Sequence, residues 1–139
     1  MHIAAFTPTG SVVLDGETVT ATGVPYTELH VPPLVGDNVH KLTAPVLVCL
    51  WSEAGNDPNP CIYVQVHDPD SVKRGTAELI WIWDDVEGRT AKWRVFGLML
   101  PFLVFGGGVY KFGVYSHPDD EEALAWYPFE IILDAEPPH

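Results

Sequence analysis

Six histidines, two cysteines, five tryptophans and nineteen carboxylates carry the chemistry available to this chain of 139 residues. The histidines are His2, His30, His40, His67, His117 and His139. No two of them stand two or four residues apart, the spacings that put two metal ligands on one strand face or one helix face. His30 and His40 flank a loop, and His67 and His117 each precede a turn, so all four read as solvated turn residues. Cys49 and Cys61 show no Cys-x-x-Cys spacing and no histidine at a zinc-like offset. Carboxylates cluster at Asp68-Pro69-Asp70 and at Asp119-Asp120-Glu121-Glu122. Oxygen-rich loops hold calcium when Asn, Gly and backbone carbonyls follow in a fixed order, and neither run has that order. The first reads as a type I turn, the second as the solvated start of a short helix. No bound metal and no cofactor is expected.

Nucleophile and phosphate signatures are also missing. The chain has no Gly-x-Ser-x-Gly elbow, no His-Glu-x-x-His and no dinucleotide fingerprint. Gly106-Gly107-Gly108 lacks the following Lys-Ser/Thr and reads as a turn that needs positive φ. The expectation is that the protein is not an enzyme. Aromatic side chains remain: Trp51, Trp81, Trp83, Trp93 and Trp126. Exposed aromatics on a β-surface can stack on sugar rings or anchor a protein partner. Trp51 and Trp126 read as core filling. Tyr110 stands two residues after Gly108 at a strand start, as in a tyrosine corner, so Tyr110 and Gly108 are read as structural.

The charge balance narrows the partners. Nineteen acids against seven bases give a net charge of −12. No Lys or Arg precedes Lys41 or follows Lys111. A surface that replaces counterions on phosphates needs clustered cations, so neither nucleic acid nor an anionic membrane is expected as a partner. A basic protein partner fits the acidity. The N-terminal residues lack the basic and apolar regions of a signal peptide. The longest apolar run, Val95 to Val109, is broken by glycines and Pro101 and is too short for a span. A cytoplasmic protein with reduced thiols is expected.

Elements capable of positioning these residues are short and β-rich. Hydrophobic residues make up 47% and charged residues 19%, which excludes disorder. Thirteen Pro and twelve Gly exclude a helical bundle. Strands are expected at 11–14 and 18–22 around Asp15-Gly16, then at 26–31, 46–51, 61–67, 76–83, 91–96, 98–105, 109–115 and 126–133. Residues 119–125 are the one helix candidate. This pattern predicts a single domain over 1–139, an all-β antiparallel β-sandwich (immunoglobulin/C2-like) of about eight or nine strands with at most one short helix. Strands 46–51 and 61–67 are expected to form a hairpin centred on Asn56. Trp51 would then lie opposite Cys61, leaving two free, largely buried thiols.

Two strands are apolar on both faces. In 77–83, Leu79, Trp81 and Trp83 lie on one side and Ile80 and Ile82 on the other. In 46–51, Leu47, Cys49 and Trp51 oppose Val46, Val48 and Leu50. A sandwich covers only one face of each sheet, so the second face needs a cover, from residues 32–44 or 119–125, or a second subunit.

Val13-Leu14-Asp15-Gly16, Thr20-Ala21-Thr22-Gly23 and Pro32-Pro33 resemble the opening of an uncharacterised bacterial family, the DUF6941-type proteins. The 46–51 strand, Ile62–His67 with Asp68-Pro69-Asp70, and Gly108-Val109-Tyr110-Lys111-Phe112 continue the resemblance over residues 11 to 133. Ser71 stands where that family often has Gly. The resemblance implies the same fold and no reaction.

The functional expectation is a non-enzymatic binding or assembly module, a homodimer formed through an apolar sheet face at Trp81, Trp83, Ile80 and Ile82. The rival expectation is a carbohydrate- or small-ligand-binding sandwich using exposed Trp and Tyr. A hydrolase or metalloenzyme with a site assembled from loops stands third.

Overall fold

A computed structural model describes residues 1–36 and 39–135. Within them the chain is all-β, with no helix. The strands are β1 (His2–Pro8), β2 (Ser11–Asp15), β3 (Thr18–Thr22), β4 (Glu28–Val31), β5 (His40–Glu53), β6 (Cys61–His67), β7 (Lys73–Ile80), β8 (Ala91–Val104), β9 (Gly108–Tyr115) and β10 (Ala125–Leu133). They form a three-stranded sheet β1-β5-β8, a five-stranded sheet β4-β10-β9-β6-β7 and the β2-β3 hairpin. Every pairing is antiparallel except β4 with β10, which is parallel.

One core joins the two larger sheets. Val46, Val48 and Leu50 on β5 are fully buried, as are Ile62, Val64 and Val66 on β6. Burying each such side chain contributes about 1.5–3 kcal/mol. Phe102 of β8 meets Phe112 of β9 edge-on at 5.3 Å, and Phe112 meets Phe129 of β10 at 5.4 Å. These rings stitch one sheet to the other in the offset geometries that aromatic quadrupoles favour. Tyr110 donates its hydroxyl to the Gly106 carbonyl at 2.7 Å, closing the turn between β8 and β9. Gly108 in that turn has φ 130°, and a Cβ there would lie 2.7 Å from Pro69 Cγ. Only glycine fits.

Two prolines sit inside long strands without breaking them. The Pro45 carbonyl accepts from Thr9 N on the β1 side, so the missing N–H of Pro45 also lies there, at the end of β1. The Pro101 carbonyl faces Gly75 of β7 on the side of β8 that has no ladder partner. Strand prolines are tolerated where no ladder bond is lost. Two strands were expected, 91–96 and 98–105, the second broken or bulged at Pro101; β8 instead runs unbroken from Ala91 to Val104.

Several expectations are corrected. β5 and β6 are not a hairpin: β5 pairs with β1 and β8, and β6 with β7 and β9. Adjacency in sequence yields here to a crossing between sheets. Residues 58 and 60 spend their carbonyls on Trp83 N and Trp81 N instead of a turn. Cys49 and Cys61 therefore lie on different sheets; both thiols are free and half-buried. The helix expected over 119–125 is absent: residues 119–124 run through turns and bends, and Ala125 begins β10. Pro118 and its neighbours cover β6, not β5. Residues 40–44 belong to β5 itself, so they are no cover, while 37 and 38 lie outside the described residues. The second face of β5 is covered in part by the β2-β3 hairpin, whose Val12 and Val19 would sit 3.2–3.4 Å from a Cβ at Gly97 on β8.

Candidate ligand surface

The outer face of the three-stranded sheet carries a row of rings. Register places His2 of β1 beside Trp51 of β5, and Trp51 beside Trp93 of β8. His2 stacks on Trp51 with centroids 4.2 Å apart, and Trp51 lies 6.2 Å from Trp93. A β-pleat turns every second side chain to the same face, so Trp51, Cys49 and Leu47 share this side with Trp93 and Val95. Trp93 is 63% exposed. The His2 ring also bonds Glu53 at 3.1 Å, which fixes the ring at the end of the row. The Glu53 carboxyl is held below its ordinary range by its own backbone N–H and by His2.

Beside this row runs a groove of about 840 Å³. Cys49, Trp93 and Val95 contribute apolar surface, Leu14, Glu17 and Thr18 come from the hairpin tip, and Arg89 comes from the loop before β8. Burial pushes the Cys49 thiol up, so it is an apolar wall rather than a nucleophile. The neighbouring Lys92 and Arg94 alternate to the other side. Lys92 is buried, donates to the Trp83 carbonyl at 2.8 Å and pairs with Asp85 at 3.2 Å. Asp85 also accepts from Gly55 N at 2.9 Å, which clasps the loop ahead of β8 to the loop after β5.

The aromatic residues fall differently from expectation. Trp81 and Trp83 lie past the end of β7, are 7% and 5% exposed, and belong to the core. Trp81 packs edge-on against Phe96 at 5.1 Å. They offer no surface; Ile80 and Ile82 beside them are 67% and 75% exposed. Trp126, expected in the core, is exposed, with Lys111 Nζ 5.4 Å from its ring. Trp51, also expected in the core, is half-buried on the outer face. The pairing of Trp93 with Trp51 could not be read from sequence, because it depends on the register of two strands far apart in the chain.

A second concavity of about 550 Å³ lies on the outer face of the five-stranded sheet. His67 of β6 stands opposite Lys73 of β7 and Lys111 of β9. The Tyr115 hydroxyl lies 3.4 Å from His67 Nδ1. Burial pushes the His67 pKa down, and the two ammonium groups push it further, against the opposing charge of Asp68. Burial alone raises Tyr115. Asp68 is buried, which opposes its ionisation. The backbone N–H groups of Val72 and Asp70 and the Arg74 guanidinium outweigh this and hold its carboxyl low. Sequence reasoning missed this grouping, although His67 and Lys73 flank one recognisable Asp-Pro-Asp turn.

Among the described residues no group of three or more His, Cys, Asp and Glu side chains could hold a metal ion. No helix there is long and apolar enough to cross a membrane. Comparison of the chain with family models, curated proteins and solved structures gives no match.

Proposed function

We propose that the protein is a non-enzymatic binding module whose ligand face is the outer side of the three-stranded sheet, and that its ligand is a neutral oligosaccharide. The observation that carries this reading is the His2–Trp51–Trp93 row beside a groove with apolar and polar walls. A sugar ring presents an apolar C–H face and a belt of hydroxyls. The indole of Trp93 suits the first, and Glu17, Thr18 and Arg89 suit the second. The groove volume falls within the range of about 300–1,000 Å³ that small-molecule sites occupy. Calorimetric titration with neutral oligosaccharides of differing linkage tests it. At least one should bind the native protein, and Trp93→Ala should weaken that binding at least about tenfold, or about 1.4 kcal/mol. Binding unchanged by Trp93→Ala, or absent throughout, would remove the reading.

A second reading, assembly into a homodimer, is favoured by Ile80 and Ile82. Ile80 and Ile82 are 67% and 75% exposed, apolar surface that a second copy would cover. A basic protein partner would suit the net charge of −12. The cytoplasmic location and the immunoglobulin- or C2-like subtype rest on composition and strand spacing. Kinship with the DUF6941-type proteins rests on the short motifs quoted above.

A further inference from the structure

We infer that the pocket over β7, β6 and β9 binds a small zwitterion, its oxyanion set against Lys73, His67 and Lys111 and its cationic group toward Asp119, Asp120 and Glu121. The pocket lies on the other sheet from the Trp93 groove, so this inference and the proposed function stand or fall separately.

The first argument is the register. Lys73 and Lys111 flank His67 directly, one on each side, on a single sheet face. The two lysines stand two strands apart with His67 between them, so both positive charges act on one imidazole. A chain with only seven Lys and Arg among nineteen acids nevertheless places two of them here.

The second argument is what those lysines lack. Asp119, Asp120 and Glu121 line the same pocket, yet among the described residues neither Lys73 nor Lys111 has a carboxylate within the 4.0 Å of an ion pair. Lys73 spends one donor on the Pro118 carbonyl at 2.8 Å, and an ammonium has three. Asp68 is already committed to Arg74 at 2.8 Å. Lys73 thus reaches the loop backbone at Pro118 and Lys111 lies 5.4 Å from the Trp126 ring, yet neither ammonium is paired with the carboxylates that line the same pocket.

The third argument is rigidity. Gln65, wholly buried, donates to the Pro118 carbonyl at 3.1 Å, so Gln65 and Lys73 together pin the loop that carries the carboxylates. Both bonds hold the loop backbone at Pro118, one residue before the first of the carboxylates. Tyr115 lies over Gly113, where a Cβ would come within 2.8 Å of its ring, and is aimed at His67. With Tyr115 donating to Nδ1, the proton of a neutral His67 sits on Nε2, giving one more donor for an oxyanion. A dipolar ligand satisfies both charged walls. A polyanion meets the acidic loop and the net negative charge, and a simple cation meets the lysines.

Phosphoethanolamine, inorganic phosphate and ethanolamine are the probes, each titrated into the labelled protein and followed by NMR. Phosphoethanolamine should shift the His67 ring and Tyr115 signals, with a Kd at least about tenfold below that of phosphate. Lys111→Gln should weaken phosphoethanolamine and phosphate alike by about tenfold, since both use the cationic wall. Glu121→Gln should bring phosphoethanolamine to the level of phosphate and leave phosphate no weaker. The inference is overturned if phosphoethanolamine produces no shifts, if ethanolamine alone produces the same shifts, or if Lys111→Gln changes nothing. Lys111 is half-buried and Glu121 is exposed, so each wall can be changed without touching the buried Gln65, Asp68 or Tyr115.

Discussion

Trp51 and Trp93 face one another across β5 and β8 on the outer side of the sheet, with ring centroids 6.2 Å apart. The inner side of the same strands is sealed by Val48, Leu50 and Leu100, all fully buried. The buried core and the proposed ligand surface therefore lie on opposite sides of one strand pair. Trp93→Ala should change stability by less than about 1 kcal/mol, since an exposed side chain contributes little to the core. Chemical denaturation of the variant checks this, and a loss several times larger would place Trp93 among the structural residues.

Lys92 gives the contrasting case. Its ammonium is buried and holds the Trp83 carbonyl and Asp85. Lys92→Met keeps most of the stem and removes the donor, leaving a buried carbonyl unsatisfied. A loss of about 2 kcal/mol is expected, read as a lower denaturation midpoint at unchanged slope.

The turn between β8 and β9 should be sensitive at two residues. Tyr110→Phe removes only the bond to the Gly106 carbonyl and should cost about 1 kcal/mol. Gly108→Ala should cost more, about 2 kcal/mol, because φ is 130° and the new methyl would strike Pro69. A thermal melt showing the alanine variant as stable as native would mean that the turn relaxes.

Acid should weaken the fold in two stages. The His67 pKa is lower folded than unfolded, so the unfolded chain binds more protons between those two values. Its contribution is complete above the unfolded value of about 6.5 and is lost as pH falls through the folded one. The charges facing it are Lys73 and Lys111, with Asp68 opposing, and the Tyr115 hydroxyl is its polar neighbour. The Asp68 carboxyl is also lowered, so its contribution is present above its unfolded value of about 3.9 and is lost at lower pH. His67→Gln should flatten the fall in melting temperature that begins below the unfolded value of about 6.5 and leave the acid limb intact. An unchanged profile would assign the first stage to another group.

Much of the frame was legible in the residues. Asp15-Gly16 marked the β2-β3 hairpin, where Gly16 has φ 62°, and β6 runs over Cys61–His67 as its pattern indicates. The alternation of β5 separated its two sides but not the buried one: Trp51 was expected in the core, whereas Val46, Val48 and Leu50 are the buried side. Partner choice was not legible. Hydrophobic alternation divides the two sides of a strand but does not say which strand lies beside it, so β5 was wrongly joined to β6. The end of β7 was missed for a local reason. Pro60, just before β6, has no N–H to extend the ladder, so pairing stops at Ile80 while the apolar pattern continues through Trp83. Both proposed surfaces are products of register: Trp93 beside Trp51, and Lys73 and Lys111 beside His67. Neither could be found before the strand neighbours were known.

The indole N–H signals of the five tryptophans test the ligand surface most directly. Each can be assigned by Trp→Phe substitution and followed as an oligosaccharide that binds in calorimetry is added. The signals of Trp93 and Trp51 should move together with one Kd, while those of buried Trp81 and Trp83 stay in place. Movement confined to Trp126, or equal movement of all five, would contradict a ligand surface on the outer side of β5 and β8.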